Sequence, residues 1–296
     1  GGAFAAAHVG LYQALGEAGV VFDMMGGASG GGAMTAAFAT GTPPREIDDG
    51  IDRIFVRSRS FRRLTYPRYG VLDHKGFDRE LRAVYGEVRI EDMPLPFFCV
   101  STNLSAGELY VHRQGKLWEA VRASGSIPGL LPPMFTADGR MLVDGSLIDN
   151  VPVKTMRELK AGPNVVLSFE TTGEERFAVD YDKLPSRGAL LLRLALPFGR
   201  AELPQVPSPG TVLARSLMAR GQAFEMHLGD DDISIRMPYP ADMSVMDWGR
   251  HTELMERSYE FGRTELARLA STGRLDGLVD GDASGPPATT APRVVP

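Results

Sequence analysis

Apolar side chains near the start of the chain repeat with the period of a helix. Val9, Tyr12 and Leu15 fall on one helical face, and glycine follows at position 19. This spacing predicts a helix over residues 5–18 that stops at the glycine.

The next 21 residues, at 20–40, change pattern twice. A short apolar run at 20–25 is followed by a glycine cluster at 26–32 and by a stretch of small residues with helical character at 33–40. Short apolar runs bounded by glycine are typical of buried strands. The order therefore predicts a strand, a tight turn and a helix.

The rest of the chain alternates between strand and helix patterns. Strands are predicted at 97–102, 141–143, 165–169 and 233–236. Helices are predicted near 45–56, 76–85, 117–123, 152–160, 211–228 and 249–270. Such alternation favours an α/β sandwich with a mostly parallel sheet. Positions 271–296 are rich in small residues, Gly and Pro, so we expect a domain over residues 1–270 and a disordered tail over 271–296.

Composition excludes several function classes. The formal net charge of -5 gives no global basic character for binding nucleic acid. Cys99 is the only cysteine and the five histidines lie far apart, so we predict no metal site and no cofactor. No apolar stretch reaches the length of about 20 residues that a membrane-spanning helix needs. We also find no leader pattern, and expect a cytoplasmic protein that is soluble or rests on a membrane surface.

Gly27, Ser29 and Gly31 form a G-x-S-x-G motif between the predicted strand and helix. In this context the turn is so tight that small neighbours are needed, and the serine oxygen is exposed as a nucleophile. The positive end of the following helix favours an anionic nucleophile and intermediate. The alternative is a glycine-rich phosphate loop, although no lysine follows as a P-loop requires.

A serine hydroxyl attacks only when a base removes its proton. Asp144 follows the apolar run 141–143 and precedes Gly145, where a strand delivers a side chain to the rim of a sheet. It is our candidate base. The alternative is an ordinary Asp-Gly turn at the end of a strand.

Several ordered blocks, together with the serine motif and Asp144-Gly145, resemble the patatin-like phospholipases, and most closely their neuropathy target esterase and bacterial lysophospholipase branch. These blocks are His8-Val9-Gly10-Leu11, Ser101-Thr102-Asn103-Leu104, Leu117-Trp118, Val121-Arg122-Ala123-Ser124, Ile127-Pro128-Gly129, Pro132-Pro133, Asn150-Val151-Pro152 and Met246-Asp247-Trp248-Gly249. The resemblance implies a three-layer α/β/α sandwich and a Ser29/Asp144 dyad. It also marks Gly27, Gly31, Gly145 and Asn150 as residues that support the motifs.

A dyad implies that no histidine relays the proton, unlike the usual triad. His8 falls on the first predicted helix and is expected to be structural. A triad that uses one of the other four histidines stays open as an alternative.

The first loop departs from the family, whose glycine-rich loop forms the oxyanion hole with backbone N–H groups. The residues that the resemblance assigns to the hole are Gly1, Gly2, Ala3, Phe4 and Gly30. Phe4 stands where the family has Arg or Lys, and Ala5 stands where it has a glycine. We expect Ala5 to strain the loop if its position needs a positive φ.

Two further departures lie near the base. Ser146 replaces the usual Gly or Ala after Asp-Gly, and its small side chain is expected to be tolerated. Asp149 adds a carboxylate that would raise one of two pKa values if it were buried close to Asp144.

Residues 57–69 interleave five arginines with Phe61, Leu64, Tyr66 and Tyr69. Such a mixture suits the interface of an anionic membrane, and the alternative is a solvated loop with packed aromatics. Apolar residues at 189–198 and the Pro-rich 203–210 are candidates for an acyl-chain pocket or a lid.

The resemblance also implies a strand ahead of Gly1 and, in a longer chain, an upstream regulatory domain. The leading hypothesis is hydrolysis of the acyl ester of a phospholipid or lysophospholipid through an acyl-Ser29 intermediate. The alternative, prompted by the altered oxyanion loop, is a catalytically weak or inactive module that binds lipid or a partner.

Overall fold

The computed structural model describes residues 2–170, 179–196, 203–204, 206–207, 212, 227–276 and 278–279. The chain divides into two compact units, one made of Gly1–Glu170 with Met218–Pro296 and the other of Thr171–Leu217. All elements below belong to the first unit except helix α7.

Seven strands are present in the described residues. They are β1 (Met25–Ala28), β2 (Phe97–Asn103), β3 (Glu108–His112), β4 (Met134–Phe135), β5 (Met141–Asp144), β6 (Val165–Phe169) and β7 (Ile233–Met237). The pairs β1–β2 and β6–β7 are parallel, whereas β2–β3, β2–β5 and β4–β5 are antiparallel. The predicted α/β class is therefore right, but the sheet is mixed rather than mostly parallel.

Strand β2 organises the sheet because it pairs with three strands. Strand β3 pairs with residues 99–103, β1 with 97–100 and β5 with 101–103. A strand has only two edges, and β3 overlaps both β1 and β5 along β2. Strands β1 and β5 must therefore share the opposite edge of β2, where they run towards each other and end opposite Val100 and Ser101.

Eight α-helices are described. They are α1 (Ala7–Glu17), α2 (Ser29–Ala39), α3 (Pro44–Ile51), α4 (His74–Tyr85), α5 (Leu117–Ser124), α6 (Val153–Leu159), α7 (Arg187–Ala195) and α8 (His251–Ser271). Residues Gly2–Ala6 form a 3-10 helix that leads into α1, and Asp52–Arg57 continue α3 as a π-helix.

The side chains of β2 alternate between the two faces of the sheet, and helices cover both faces. Phe97 and Cys99 pack on one face with apolar residues of α2 and α5. Phe98 and Val100 point to the other face and contact residues of α6. Successive side chains of a strand point to opposite faces, so β2 is covered on both sides and all seven of its residues are buried.

The sequence located most elements but misplaced the first strand. Strand β1 covers Met25–Ala28, so the prediction of a strand at 20–25 and a turn from residue 26 is wrong. Gly26 belongs to the strand because the ring of Phe98 occupies its side-chain space, only 2.2 Å from where a Cβ would stand. The patterns did not predict β3 or β4, and the predicted helix at 211–228 lies almost wholly outside the described residues.

The disordered tail predicted at 271–296 starts too early in the chain, because ordered residues continue past 271. Helix α8 extends to Ser271, and beyond it Leu275 is buried in a cluster with Leu15 of α1 and Leu269 of α8. Val279 also forms a β-bridge with Val20. The apolar side chains of Leu275 and Leu278 pack in this cluster and hold the segment against α1 and α8. Residues 280–296 lie outside the described part.

Gly10 allows helices α1 and α8 to pack closely because it has no side chain. A Cβ at this position would lie 2.1 Å from the carbonyl oxygen of Met255 and 2.3 Å from Oγ of Ser258. Gly16, on the same helix, has open space around the equivalent position.

We expect Gly10→Ala to destabilise the protein by about 1–3 kcal/mol because the added methyl group overpacks the helix interface. Gly16→Ala is the matched control and should stabilise α1 by about 0.5–1 kcal/mol, since glycine is unfavourable inside a helix. Urea unfolding measures both effects. Equal changes in the free energy of unfolding would contradict this account of the interface.

Candidate active site

Ser29 stands at the sharp junction between β1 and α2. Its φ of 51° lies in the left-handed region, which a non-glycine residue seldom adopts. The preceding Ala28 is extended, with φ -123° and ψ 148°. The chain thus turns from strand to helix at Ser29 itself, the geometry of a nucleophile elbow.

The motif needs small residues at some of its positions but not at all of them. A Cβ at Gly27 would lie 2.7 Å from the backbone nitrogen of Gly32, and one at Gly30 would lie 2.6 Å from Cβ of Ala5. At Gly31 the nearest atom, Nε2 of His8, is 3.9 Å away. Packing therefore requires glycine at 27 and 30, whereas space at 31 is open.

Asp144 ends β5 directly beside this junction. The hydroxyl of Ser29 donates a hydrogen bond to Oδ2 of Asp144 at 2.6 Å, across 115 positions of sequence. The other carboxylate oxygen accepts the backbone N–H of Ser146 at 2.9 Å. The residue after the base must be Gly145, since a Cβ there would lie 2.2 Å from the carbonyl oxygen of Val100. The two predicted side chains are thus brought together.

Burial controls the proton affinity of the Asp144 carboxylate. Asp144 is 1% exposed, and this loss of hydration raises the pKa of its carboxyl, although the hydrogen bonds from Ser29 and Ser146 oppose the rise. A carboxylate with a raised pKa is a stronger base towards a serine proton.

Histidine takes no part in the hydrogen bonds described at these two side chains. Burial lowers the pKa of His8 and of His112 to about 4, so both rings are neutral near pH 7. His8 bonds the carbonyl of Ala5 through Nδ1, and His112 bonds Oγ of Ser101 through Nε2. This geometry favours the dyad over the triad.

The altered glycine loop is less strained than the sequence suggested. Ala5 lies in the 3-10 helix Gly2–Ala6 and is absent from the positive-φ residues of the described chain. The condition for strain at Ala5, a positive φ, is therefore not met. Phe4 is fully buried, and its ring lies 5.5 Å from that of Phe169 and 5.3 Å from that of Tyr239.

Fewer backbone N–H groups are available to an oxyanion than the five residues that the resemblance assigns to the hole. The backbone N–H of Ala3 donates to the carbonyl of Val245 at 2.7 Å, so its predicted role as a donor is wrong for this conformation. Gly1 lies outside the described residues, and the role of the Phe4 backbone stays a prediction. Gly2, with φ 59°, approaches Gly30, whose N–H in the first turn of α2 has no intrahelical acceptor.

Ser124 is a site residue that we did not single out from the sequence. Its hydroxyl accepts the backbone N–H of Ser29 at 2.9 Å and donates to the carbonyl of Val100 at 2.7 Å. Ser124 is fully buried at the end of α5. It therefore ties the strained backbone of the nucleophile to β2, and only its membership of a family-like block offered a signal.

The other predicted residues lie further from the reaction centre. Asn150 lines a separate cavity of ≈ 430 Å³ between β1 and β6, not the cavity at Ser29. Asp149 accepts the backbone N–H of Val151 at 3.1 Å. Burial raises the pKa of Asp149 as well.

Ser29, Gly2 and Gly30 line a cavity of ≈ 620 Å³. Its walls are largely apolar and include Met34, Ile51, Phe55, Phe77, Leu81 and Trp248. The rings of Phe55 and Trp248 stack at 3.6 Å. Ligand sites are typically apolar cavities of about 300–1,000 Å³ with a few polar groups, and here the polar lining includes Ser29, Glu46 and Arg53. Residues 189–196 of the predicted pocket or lid lie in the second unit, so that prediction is untested.

These features define an α/β protein in which a serine lines a largely apolar cavity and donates a hydrogen bond to a buried carboxylate. A sequence model described as "Patatin-like phospholipase" matches residues 1–157, more than half of the chain. The chain belongs to the patatin-like phospholipase family.

The chain is similar over nearly its whole length to much longer relatives. It is 29% identical over 289 residues to "Patatin-like phospholipase domain-containing protein 7" of Mus musculus, covering 94% of this chain and 21% of that protein. It is 31% identical over 282 residues to "Lysophospholipase NTE1" of Coccidioides immitis, covering 93% of this chain and 18% of that protein. The chain thus spans about a fifth of these relatives.

The fold also matches a solved structure, VipD from Legionella pneumophila, with a TM-score of 0.51 and 15% identity, covering 92% of this chain and 65% of that one. This likeness supports the patatin-like α/β fold. Within the described residues we find no helix with the length and apolar character to cross a membrane.

We expect Ser124→Ala to lower the reactivity of Ser29 towards a fluorophosphonate about 10- to 100-fold, because a buried N–H left without an acceptor costs about 1–3 kcal/mol. Ser126→Ala is the matched control, since Ser126 is equally buried but bonds Arg122. The labelling rate at Ser29 is the measurement. An equal loss of rate in both variants would assign Ser124 a purely structural role.

We expect Asp144→Asn to be inactive but more stable than the parent at neutral pH. The folded-state pKa of Asp144 is raised, so its ionisation opposes folding once the pH passes the unfolded-state pKa. The stability advantage of the variant should therefore be absent in acid and grow with pH up to the folded-state pKa. Unfolding free energies at several pH values test this, and an advantage that shrinks with rising pH would contradict the burial argument.

Proposed function

We propose that this chain hydrolyses the carboxylic ester of a lipid through an acyl-Ser29 intermediate, with Asp144 as the general base. The observation that carries the proposal is the 2.6 Å hydrogen bond between the two side chains at an apolar cavity. Family membership supports the same class of chemistry.

The reaction proceeds in two halves. The Asp144 carboxylate takes the proton of Ser29 while Oγ attacks the ester carbonyl carbon, and the protonated aspartate then gives this proton to the departing alcohol. In the second half, water attacks the acyl-enzyme and passes a proton to Asp144. The new carboxylic acid leaves as Ser29 recovers its proton from the aspartate.

The oxyanion that forms in each half needs donors on the cavity side of Ser29. We assign this role to the backbone N–H groups of Gly2 and Gly30, which border the same cavity as the nucleophile. The N-terminus of α2 adds its positive end at the same place.

A lysophospholipid is our proposed substrate class. The apolar cavity would bury one acyl chain, and each buried methylene contributes about 0.8 kcal/mol. The name of the Coccidioides immitis relative, "Lysophospholipase NTE1", points to the same substrates. The leaving alcohol would then carry the glycerophosphate headgroup.

One observation favours a second candidate, a catalytically weak or inactive lipid-binding module. The N–H of Ala3 is already engaged by Val245, which removes one donor that the family resemblance assigns to the oxyanion hole. The two candidates differ in whether Ser29 is activated.

We expect a fluorophosphonate to modify Ser29 stoichiometrically, and Asp144→Asn to lose about 10⁴-fold or more of the labelling rate because the serine then has no base. Mass spectrometry of the intact protein and its peptides reads the site, and Ser29→Ala is the control for labelling elsewhere. Fatty acid release from lysophospholipids, phospholipids and acylglycerols then identifies the substrate. A folded protein that is neither labelled nor active on this panel would support the lipid-binding alternative.

A further inference from the structure

Residues 63–73 form a hairpin whose base is fixed and whose tip projects into solvent. Thr65 donates to the carbonyl of Val71, and Asp73 donates to that of Arg63. The base is anchored by two further backbone bonds, from Val71 to Gly129 and from Leu72 to Leu130. Leu72 is buried, so the base belongs to the packed part of the molecule.

The hairpin exposes large apolar and aromatic side chains along its first arm and at its tip. Tyr66 is 84% exposed, Leu64 75% and Tyr69 73%. Three such side chains within six residues form a patch that water solvates poorly, and apolar patches of this kind mark interaction surfaces. Tyrosine suits a membrane interface because its ring is apolar and its hydroxyl is polar.

The same segment is strongly basic in a chain whose net charge is -5. Residues 53–72 contain six arginines and no acidic residue. Arg53 pairs with Glu80 and Arg57 with Asp52. The remaining four have no carboxylate within ion-pair distance in the described chain: Arg59, Arg62, Arg63 and Arg68. These four cations are available to an anionic surface.

The basic segment is continuous with the wall of the Ser29 cavity. Arg53, Arg57 and Phe61 line that cavity just ahead of the hairpin. Ile127 also lines it, and Ile127 begins the turn whose Gly129 carbonyl holds the base of the hairpin. A ligand surface that binds the tip of the hairpin would therefore lie next to the Ser29 cavity.

We propose that residues 57–69 dock the protein on the surface of an anionic lipid bilayer, with Leu64, Tyr66 and Tyr69 at headgroup depth and the free arginines on lipid phosphates. Docking itself is independent of the proposed function; the delivery of lipid from the bilayer to Ser29 rests on it. Arginines near such a surface are attracted to its phosphates, and salt weakens the attraction.

Co-sedimentation with vesicles tests the docking surface. The full chain carries Ser29→Ala so that turnover does not change the lipid, and the vesicles contain phosphatidylcholine with or without phosphatidylserine. One variant combines Arg62→Gln, Arg63→Gln and Arg68→Gln, and another combines Leu64→Ser, Tyr66→Ser and Tyr69→Ser. The charge-matched control is Arg89→Gln, Arg140→Gln and Arg268→Gln, since these exposed arginines belong to other segments.

We expect each hairpin variant to lose at least tenfold in affinity for the anionic vesicles, while the control variant binds like the parent. Raising the salt concentration should weaken parental binding. Equal binding to neutral and anionic vesicles, or unchanged binding by both hairpin variants, would overturn the proposal and direct attention to a protein partner.

A water-soluble short-chain ester separates failure of docking from failure of the proposed function. With Ser29 restored, the hairpin variants should hydrolyse it at the parental rate, because their changes lie outside the cavity. A parent that binds anionic vesicles but does not hydrolyse any ester would remove the proposed function and leave the docking surface. A parent that hydrolyses the ester but ignores vesicles would remove the docking surface alone.

Discussion

The site depends on the pairing of β2, whose one edge receives β1 from one direction and β5 from the other. Because these strands end opposite Val100 and Ser101, Ser29 and Asp144 emerge at the same point of the sheet. A slip of one residue in β5 would turn Asp144 to the opposite face. The hydrogen bond from Thr102 to the Asp144 carbonyl, together with the tight packing of Gly145, holds this register.

The same junction places two unfavourable features side by side. Ser29 adopts a strained backbone conformation, and Asp144 is buried with a raised pKa. Ser124 stabilises the first by accepting the Ser29 N–H, and the Ser146 N–H stabilises the second. Strain and burial of this kind persist only where many surrounding contacts hold the residues in place, which is typical of functional sites.

The sequence predicted that Ser29 and Asp144 would meet because each residue carries a local signal, and the structure joins them by a hydrogen bond. Ser29 lies in a glycine motif, and Asp144 follows an apolar run. Ser124 carries no such signal, since a buried serine becomes significant only through the partner that folding brings to it. The boundary of β1 was misjudged for the same reason, because Gly26 is explained by the ring of Phe98, a residue 72 positions away.

The departure at Ala5 places a methyl group in space that it shares with Gly30, a residue of the first turn of α2. Its methyl carbon stands 2.6 Å from where a Cβ at Gly30 would be, so only one of these two positions can carry a side chain. In this chain the methyl group lies on the first loop, within a 3-10 turn that alanine adopts without strain. The small residue at Gly30 then lets the backbone of Gly2 approach the start of α2. Gly2 and Gly30 both border the cavity that Ser29 lines, where the proposed oxyanion would need backbone donors.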